Sequence, residues 1–494
     1  MKNGYNIHKT PITGNLIEDT KYFKDIFKDD DNTIFRLFRN KNSSINCCII
    51  FENHIVDKEM INENIIQPIM KSYLYKDTDN KIDFLMNKVV INCDVRISCD
   101  EEEIINSMLY GDTIIFCDGS YGAMIANTKD WKVRNIKEPE GESVVRGSRE
   151  GFNESIDTNI SLIRRKINSP ELKFKYKEVG KITKTKICIC YIDNLVSKQI
   201  LEDLNSRLDK IKIDGILESG YIEEKIKDHP HSIFHTIGNT ERPDVVAAKL
   251  LEGRIALICD GTPSVLTIPF IFTEYFQSSE DYNNNFVYGS FNRILRISGF
   301  ILATSVPAVY VALVTFHQEL IPRELLLSIA SSRKGVPFPT IIEAILMITV
   351  FEILREAGTR LPKNIGQAIS IVGALVLGEA AVSAGFVSAP MVIVVSITAI
   401  SKFSVPKMAV VIMVIKNIFL LLAGFLGLYG YIYGMIGLSL YLFSMKSFGV
   451  EYMLKVGSIN KEDLKDLGIR VPWEFMKNKS KFIIGKTDSD EEGR

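Results

Sequence analysis

Net charge is almost missing from this chain, because 59 Lys and Arg stand against 60 Asp and Glu, leaving −1 at pH 7. No global basic field is available to hold nucleic acid. Cysteine is sparse and unclustered: the 8 cysteines form no CxxC, and none lies beyond Cys259. Cys47, Cys48, Cys93, Cys99, Cys117, Cys188, Cys190 and Cys259 sit mostly in apolar, strand-like runs. They read as buried reduced thiols rather than a zinc or disulfide framework, which fits a reducing, cytoplasmic setting. The phosphate-binding GxxxxGK[ST], the GxSxG elbow and HExxH are all missing. Gly147-Ser148-Arg149-Glu150-Gly151 is too short and too charged for a phosphate loop. No catalytic residue, metal site or cofactor is assigned, and the chain is read as non-enzymatic. The N-terminus, MKNGYNIHKT, has no apolar run after its lysine, so no secretory signal is read there.

What is present is unevenly spread. At 494 residues the chain is too long for one ordinary core. Its fold class is read as an α/β soluble region of two repeated subdomains followed by an all-α polytopic membrane domain. The boundaries are an N-terminal segment 1–34, subdomains 35–145 and 170–290, and a helix-bearing linker 146–169 between them. A transmembrane domain, 291–445, carries about 5–6 helices, and a polar, Lys-rich tail covers 446–494.

The repeat rests on two pairs of segments. NSMLYGDTIIFCDGS (106–120) matches AKLLEGRIALICDGT (248–262), and CIIFENHIVDK (48–58) matches CICYIDNLVSK (188–198). Each pair combines a buried strand, a polar break and an amphipathic helix, with Asp118-Gly119 and Asp260-Gly261 as hairpin turns. In the linker, Ile156, Ile160 and Ile163 fall at helical spacing. Arg146, Arg149, Glu150, Arg164 and Arg165 surround them as candidates for assembly or signalling through an anion or an acidic partner surface; helix-end complementarity explains the same arginines. His229, His231 and His235 lie in a Pro-containing loop whose spacing suits a zinc site poorly.

Within the apolar block the key stretch is Asn364–Phe386, long enough to cross a bilayer as a helix. Gly366, Ser370, Ala374 and Gly378 recur every fourth residue and make a ridge for close helix packing. Glu379 is its single ionisable side chain, and an acid at such depth marks an ion path, a partner charge or a ligand. Ser370 and Ser383 add polar lining. Lys416, deep in another span, is the expected partner if Glu379 is half of a structural ion pair; the alternatives are a pore-lining Glu379 and a Lys416 that snorkels to an interface. Pro307 is expected to kink the first span, 294–316. The stretch 317–339 reads as a surface-lying or re-entrant helix, 388–401 as a short half-helix, and 408–445 as two spans joined near Gly427. With six crossings, Lys and Arg near the span ends place both termini in the cytoplasm.

Long segments carry a family resemblance: VVRGSREGFNESIDTNISLIRRKI, TERPDVVAAKLLEGRIALICDGTPSVLTIPF, PRELLLSIASSRKGVPFPTIIEAILM, FEILREAGTRLPKNIGQAISIVGALVLGEAAVSAGFVSAPMVIVVSITAI and DLKDLGIRVPWEFM. In this order, over about 25–478, the chain resembles the A subunits of the GerA-type nutrient germination receptors of endospore-forming bacteria. The resemblance implies a multi-pass protein of the spore inner membrane, partnered by a transporter-like B subunit and a lipoprotein C subunit. It implies a homo-oligomer that passes cations, surrounded by membrane lipid, with no enzymatic residues. A transporter for the nutrient itself is the competing reading, and it requires inverted-repeat halves that the sequence does not display.

Overall fold

Runs of apolar side chains that point to both faces of the inner strands build two antiparallel sheets, each with both faces covered. The computed structural model describes residues 12–40, 45–73, 81–92, 94–130, 139, 141–142, 144–360, 376–457, 466, 468–472 and 474. Strands β1 (Thr33–Arg39), β2 (Asn46–Glu52), β3 (Val95–Ser98), β4 (Asp112–Cys117) and β5 (Ala123–Asn127) line up as β1-β2-β4-β5-β3. Strands β6 (Leu172–Val179), β7 (Thr185–Ile192), β8 (Gly238–Thr240), β9 (Ile255–Cys259) and β10 (Val265–Ile268) line up as β6-β7-β9-β10-β8. The second sheet thus repeats the first, strand for strand. The pairings within both sheets are antiparallel.

Each sheet separates two layers of helix. In β2, Cys47, Ile49 and Phe51 face Ile61, Ile65 and Leu85, whereas Cys48 and Ile50 face Phe23, Ile104 and Met108. In β7, Ile187, Ile189 and Tyr191 join Leu204 and Ile222, whereas Cys188, Cys190 and Ile192 join Ile160, Ile163 and Leu250. Each such Ile or Leu stabilises the fold by roughly 1.5–3 kcal/mol. Six of the cysteines are therefore buried free thiols, Cys99 is exposed, and Cys93 falls outside the described residues. Burial pushes the Cys259 thiol up to about 12. Asp118 and Asp260 both sit in hairpin turns, and Asp260 also accepts the Ile156 amide at 3.2 Å, capping the linker helix Ile156–Lys166.

Beyond Asn285 the chain is helical. The entry helix, Phe286–Thr315, runs through Pro307 without interruption. The surface helix Arg323–Arg333, the acidic helix Thr340–Arg360, the segment 376–383 and the short helix Ala389–Phe403 follow. Among the described residues, two helices are long and apolar enough to cross a membrane, Phe286–Thr315 and Pro406–Ser444. The second folds back on itself. Gly427 leaves helical space at φ 62° and ψ −146°, and the rings of Phe419 and Tyr431, on either side of it, meet edge-on 5.6 Å apart. The result is a helical hairpin whose turn packs on the end of the entry helix. A Cβ at Gly427 would lie 2.8 Å from His317 and 3.0 Å from Phe316. That backbone region is essentially closed to side chains, so Gly427→Ala should cost about 1–3 kcal/mol. Thermal unfolding of the purified full chain in detergent should show a clearly lower midpoint; an unchanged midpoint would mean that the turn is not formed.

Contacts along the bundle give its long described helices a direction. Phe316 and Gly427 mark the end of the bundle remote from the sheets, and Lys407 marks the end beside them. The acidic helix runs from the remote end toward the head, the short helix does likewise, and 376–383 leads to Gly385, which sits against the Gly335 carbonyl at the remote end. After the hairpin the chain returns to the head. Ser447 donates to the Thr236 carbonyl at 2.6 Å and the Tyr452 hydroxyl to the His235 carbonyl at 2.8 Å. Phe448, Val450 and Leu454 complete the second sheet's core. The start of the segment read as a polar tail is thus part of the head.

Candidate functional site: buried charges at the joints

Charged side chains that the sequence scatters over hundreds of positions converge at three joints. The first holds the two sheets together. Arg164, on the linker helix, is fully buried and pairs with Asp30 and with Glu52, the latter at 3.4 Å. It also donates to the Ser169 and Leu172 carbonyls at 3.1 and 3.2 Å and lies over the Phe174 ring. Burial opposes its charge, but Glu52 and Asp30 outweigh burial and hold the guanidinium above its ordinary value. Arg164 is therefore unavailable to an anion or a partner. Its two carboxylates come from the first sheet's unit and its helix packs on the second, so it bolts one to the other. Beside it, the Asp31 amide donates to the Phe174 carbonyl at 3.0 Å, and His54 meets the Tyr176 hydroxyl at 2.7 Å.

The second joint is the neck. Glu142 pairs with Lys407, at the foot of the hairpin, at 2.6 Å, and accepts the Thr240 hydroxyl. The backbone amide of Val145 donates to the Glu280 carboxylate, and Asn283 donates to the Arg146 carbonyl at 3.3 Å. The linker loop is thus laced to the segment that enters the bundle. Arg146 and Arg149 are exposed there, and Glu150 is held by Arg165 and by Lys166, the latter at 3.1 Å. Burial alone would raise the Glu142 carboxyl, but Lys407, Thr240 and the Glu241 amide hold it below the usual carboxylate range. A depressed carboxylate contributes stability above its unfolded pKa and loses it as pH falls through the folded value. Acidification below the ordinary carboxylate range should therefore loosen the neck, seen as faster hydrogen exchange at 141–148. Glu142→Gln should show that exchange already at pH 7 and respond less to acid.

The third joint lies inside the bundle. Glu352 of the acidic helix accepts from Lys402 at 2.8 and 3.1 Å and from Lys416 at 3.3 Å, and Arg355 closes on it at 2.8 Å. The two lysine side chains are only 7% and 4% exposed. Lys416 therefore pairs with Glu352 and not with Glu379. The expected pairing fails because Glu352 reaches Lys416 from the adjacent acidic helix, whereas Glu379 lies on the chain's surface. Gly378 is buried, with Val392 at 3.6 Å from where a Cβ would sit, and Ser383 is exposed. Gly366, Ser370 and Ala374 lie outside the described residues. Of the histidines, His235 pairs with Glu223 at 2.8 Å and His229 accepts the Lys446 amide at 3.4 Å. No metal-holding cluster of His, Cys, Asp and Glu occurs among the described residues.

The sequence singled out Lys416 but missed Lys402 as its companion, because nothing local links positions that meet Glu352 from 50 and 64 residues away. The available signal was electrostatic: each buried lysine requires a carboxylate at matching depth.

The class of protein defined here is a two-sheet head fused through a charged neck to a helical bundle that includes, among the described residues, two helices long and apolar enough to cross a membrane. The profile of the Bacillus/Clostridium GerA spore germination proteins matches residues 21–482, and the chain belongs to that family. Spore germination protein KA of Bacillus subtilis (strain 168) is 41% identical over 98% of this chain and 89% of its own length. GerLA of Bacillus cereus is 36% identical over 96% and 97%. Among solved structures, the N-terminal domain of the A subunit of the Bacillus megaterium spore germinant receptor GerK3 is 30% identical, covers 53% of this chain and 98% of that one, and superposes with a TM-score of 0.42. The chain's role lies in spore germination.

Proposed function

We propose that this chain is the A subunit of a nutrient germinant receptor, and that several copies enclose a cation-conducting pore in the spore inner membrane. The observation that carries this reading is the exposed carboxylate of Glu379 in an otherwise apolar segment. A charge facing hydrocarbon at such depth costs about 2.5–3.5 kcal/mol on insertion scales. The cost disappears if neighbouring copies turn the same face toward shared water, where a ring of carboxylates favours cations. The reading takes six crossings, with the head and the returning tail together on the cytoplasmic side.

In this reading Ser370 and Ser383 line the path, and Ala374 and Gly378 let the helix pack closely. The neck loop with Arg146, Arg149 and Glu150 is the contact through which the B and C subunits or neighbouring heads act on the bundle. Lys416 is assigned to the structural ion cluster. The transporter reading predicts saturable nutrient uptake into vesicles without unitary currents, and planar-bilayer recording separates the two. Glu379→Gln should lower cation over anion permeability several-fold, while Glu379→Lys should invert it. Unchanged selectivity in both would remove Glu379 from the path.

A further inference from the structure

The entry helix, the surface helix, the acidic helix and the start of the short helix meet at the remote end of the bundle. Glu343 is fully buried there. Its Oε1 accepts both the amide and the hydroxyl of Ser388 at 2.6 Å. Its Oε2 has no hydrogen-bond partner among the described residues, and the same is true of the buried Tyr310 hydroxyl and of Arg333 Nε. The Tyr310 hydroxyl faces Ser388, with Glu343 and Arg333 around it. Arg333 Nε stands 3.7 Å from Glu343 Oε2, close enough for charge attraction and too far for a hydrogen bond. Leaving buried polar atoms unsatisfied costs about 1–3 kcal/mol each. Two of these three atoms, the second carboxylate oxygen of Glu343 and the Tyr310 hydroxyl, are oxygens with lone pairs to offer a cation, and the third is a donor of the competing Arg333.

We propose that Glu343, Tyr310 and Ser388 form a binding site for a small monovalent cation, and that Arg333 is a tethered cation that closes it. The donors are a carboxylate and two hydroxyls, hard oxygen ligands suited to an alkali ion. A single carboxylate balances a single positive charge, and a divalent ion would leave net charge in an apolar surround. Arg333 is a poor permanent occupant. Its side chain is 23% exposed, and its helix buries only Ile329, so it can withdraw at little cost. When it does, the carboxylate at the N-terminus of Ala389–Phe403 needs another counter-charge, and a free cation supplies it. Cation binding and docking of the surface helix then exclude one another. The site does not use Glu379 and does not depend on the channel reading.

The test uses the full chain in nanodiscs of neutral lipid. Sodium or potassium chloride is exchanged for choline chloride at constant ionic strength, with hydrogen exchange read at 323–339 and 388–392. The expected result is saturable protection around Ser388, with faster exchange in the surface helix, as sodium or potassium rises. Arg333→Gln should move the midpoint about tenfold or more to lower salt, since the competing occupant is gone. Glu343→Gln should abolish the response. Tyr310→Phe, which keeps the ring's packing, should shift the midpoint to higher salt. The proposal is overturned if Arg333→Gln responds to neither ion, if Glu343→Gln responds as the parent does, or if Tyr310→Phe leaves the midpoint in place.

Discussion

Glu352→Ala should leave little folded full-length protein in the membrane. Its carboxylate is the counter-charge for Lys402 and Lys416 among the described residues, and both lysines are buried. Removing one partner of a buried pair typically costs about 3–5 kcal/mol, because an uncompensated charge remains in the interior. Here two lysines lose their partner at once, against a total stability of about 5–15 kcal/mol. Yield of monodisperse protein after detergent extraction, and its thermal midpoint, are the measurements. A rescue separates charge from shape: replacing Glu352 by Leu together with Lys402→Met and Lys416→Met should recover most of the loss, since apolar groups of similar volume substitute well for buried ion clusters. A single alanine that leaves yield and midpoint untouched would show that these groups are not packed together.

Arg164→Met is the second large effect. It strands Asp30 and Glu52 against one another inside the head, and about 3–5 kcal/mol is again at stake. The loss should concentrate at the joint between sheets. Hydrogen exchange should quicken in β2, β6 and the linker helix, while β9 and β10 change far less. Arg164→Lys should not rescue fully, because an ammonium lacks the planar fork that serves two carboxylates and two carbonyls together. Uniform exchange across both sheets would mean that Arg164 does not bolt them.

Much of the head was legible because its signals are local. CIIFENHIVDK and CICYIDNLVSK fall on β2 and β7 with the polar breaks that follow them, and the two Cys-Asp-Gly segments fall on β4 and β9 with their turns. Continuous apolar runs and Asp-Gly pairs need no distant partner to be read. The position of Arg164 was not legible, because its carboxylates lie 134 and 112 positions upstream and its sequence neighbours resemble a solvated helix end. The return of the chain at Ser447–Tyr452 was hidden for another reason. Its strands are 2 residues each, too short to show a period. In the bundle, Gly427 was found as the joint between spans because glycine and an apolar run suffice to mark it. The choice of Glu352 over Glu379 as partner for Lys416 depended on which helices pack together, and single-chain periodicity does not carry that.

Single-channel recording of the purified chain in planar bilayers, under a potassium chloride gradient, tests the central claim most directly. The account predicts unitary currents whose reversal potential lies near that of potassium for the parent and moves toward that of chloride for Glu379→Lys. Nutrient uptake without unitary currents, or currents whose reversal potential ignores the charge at Glu379, would contradict it.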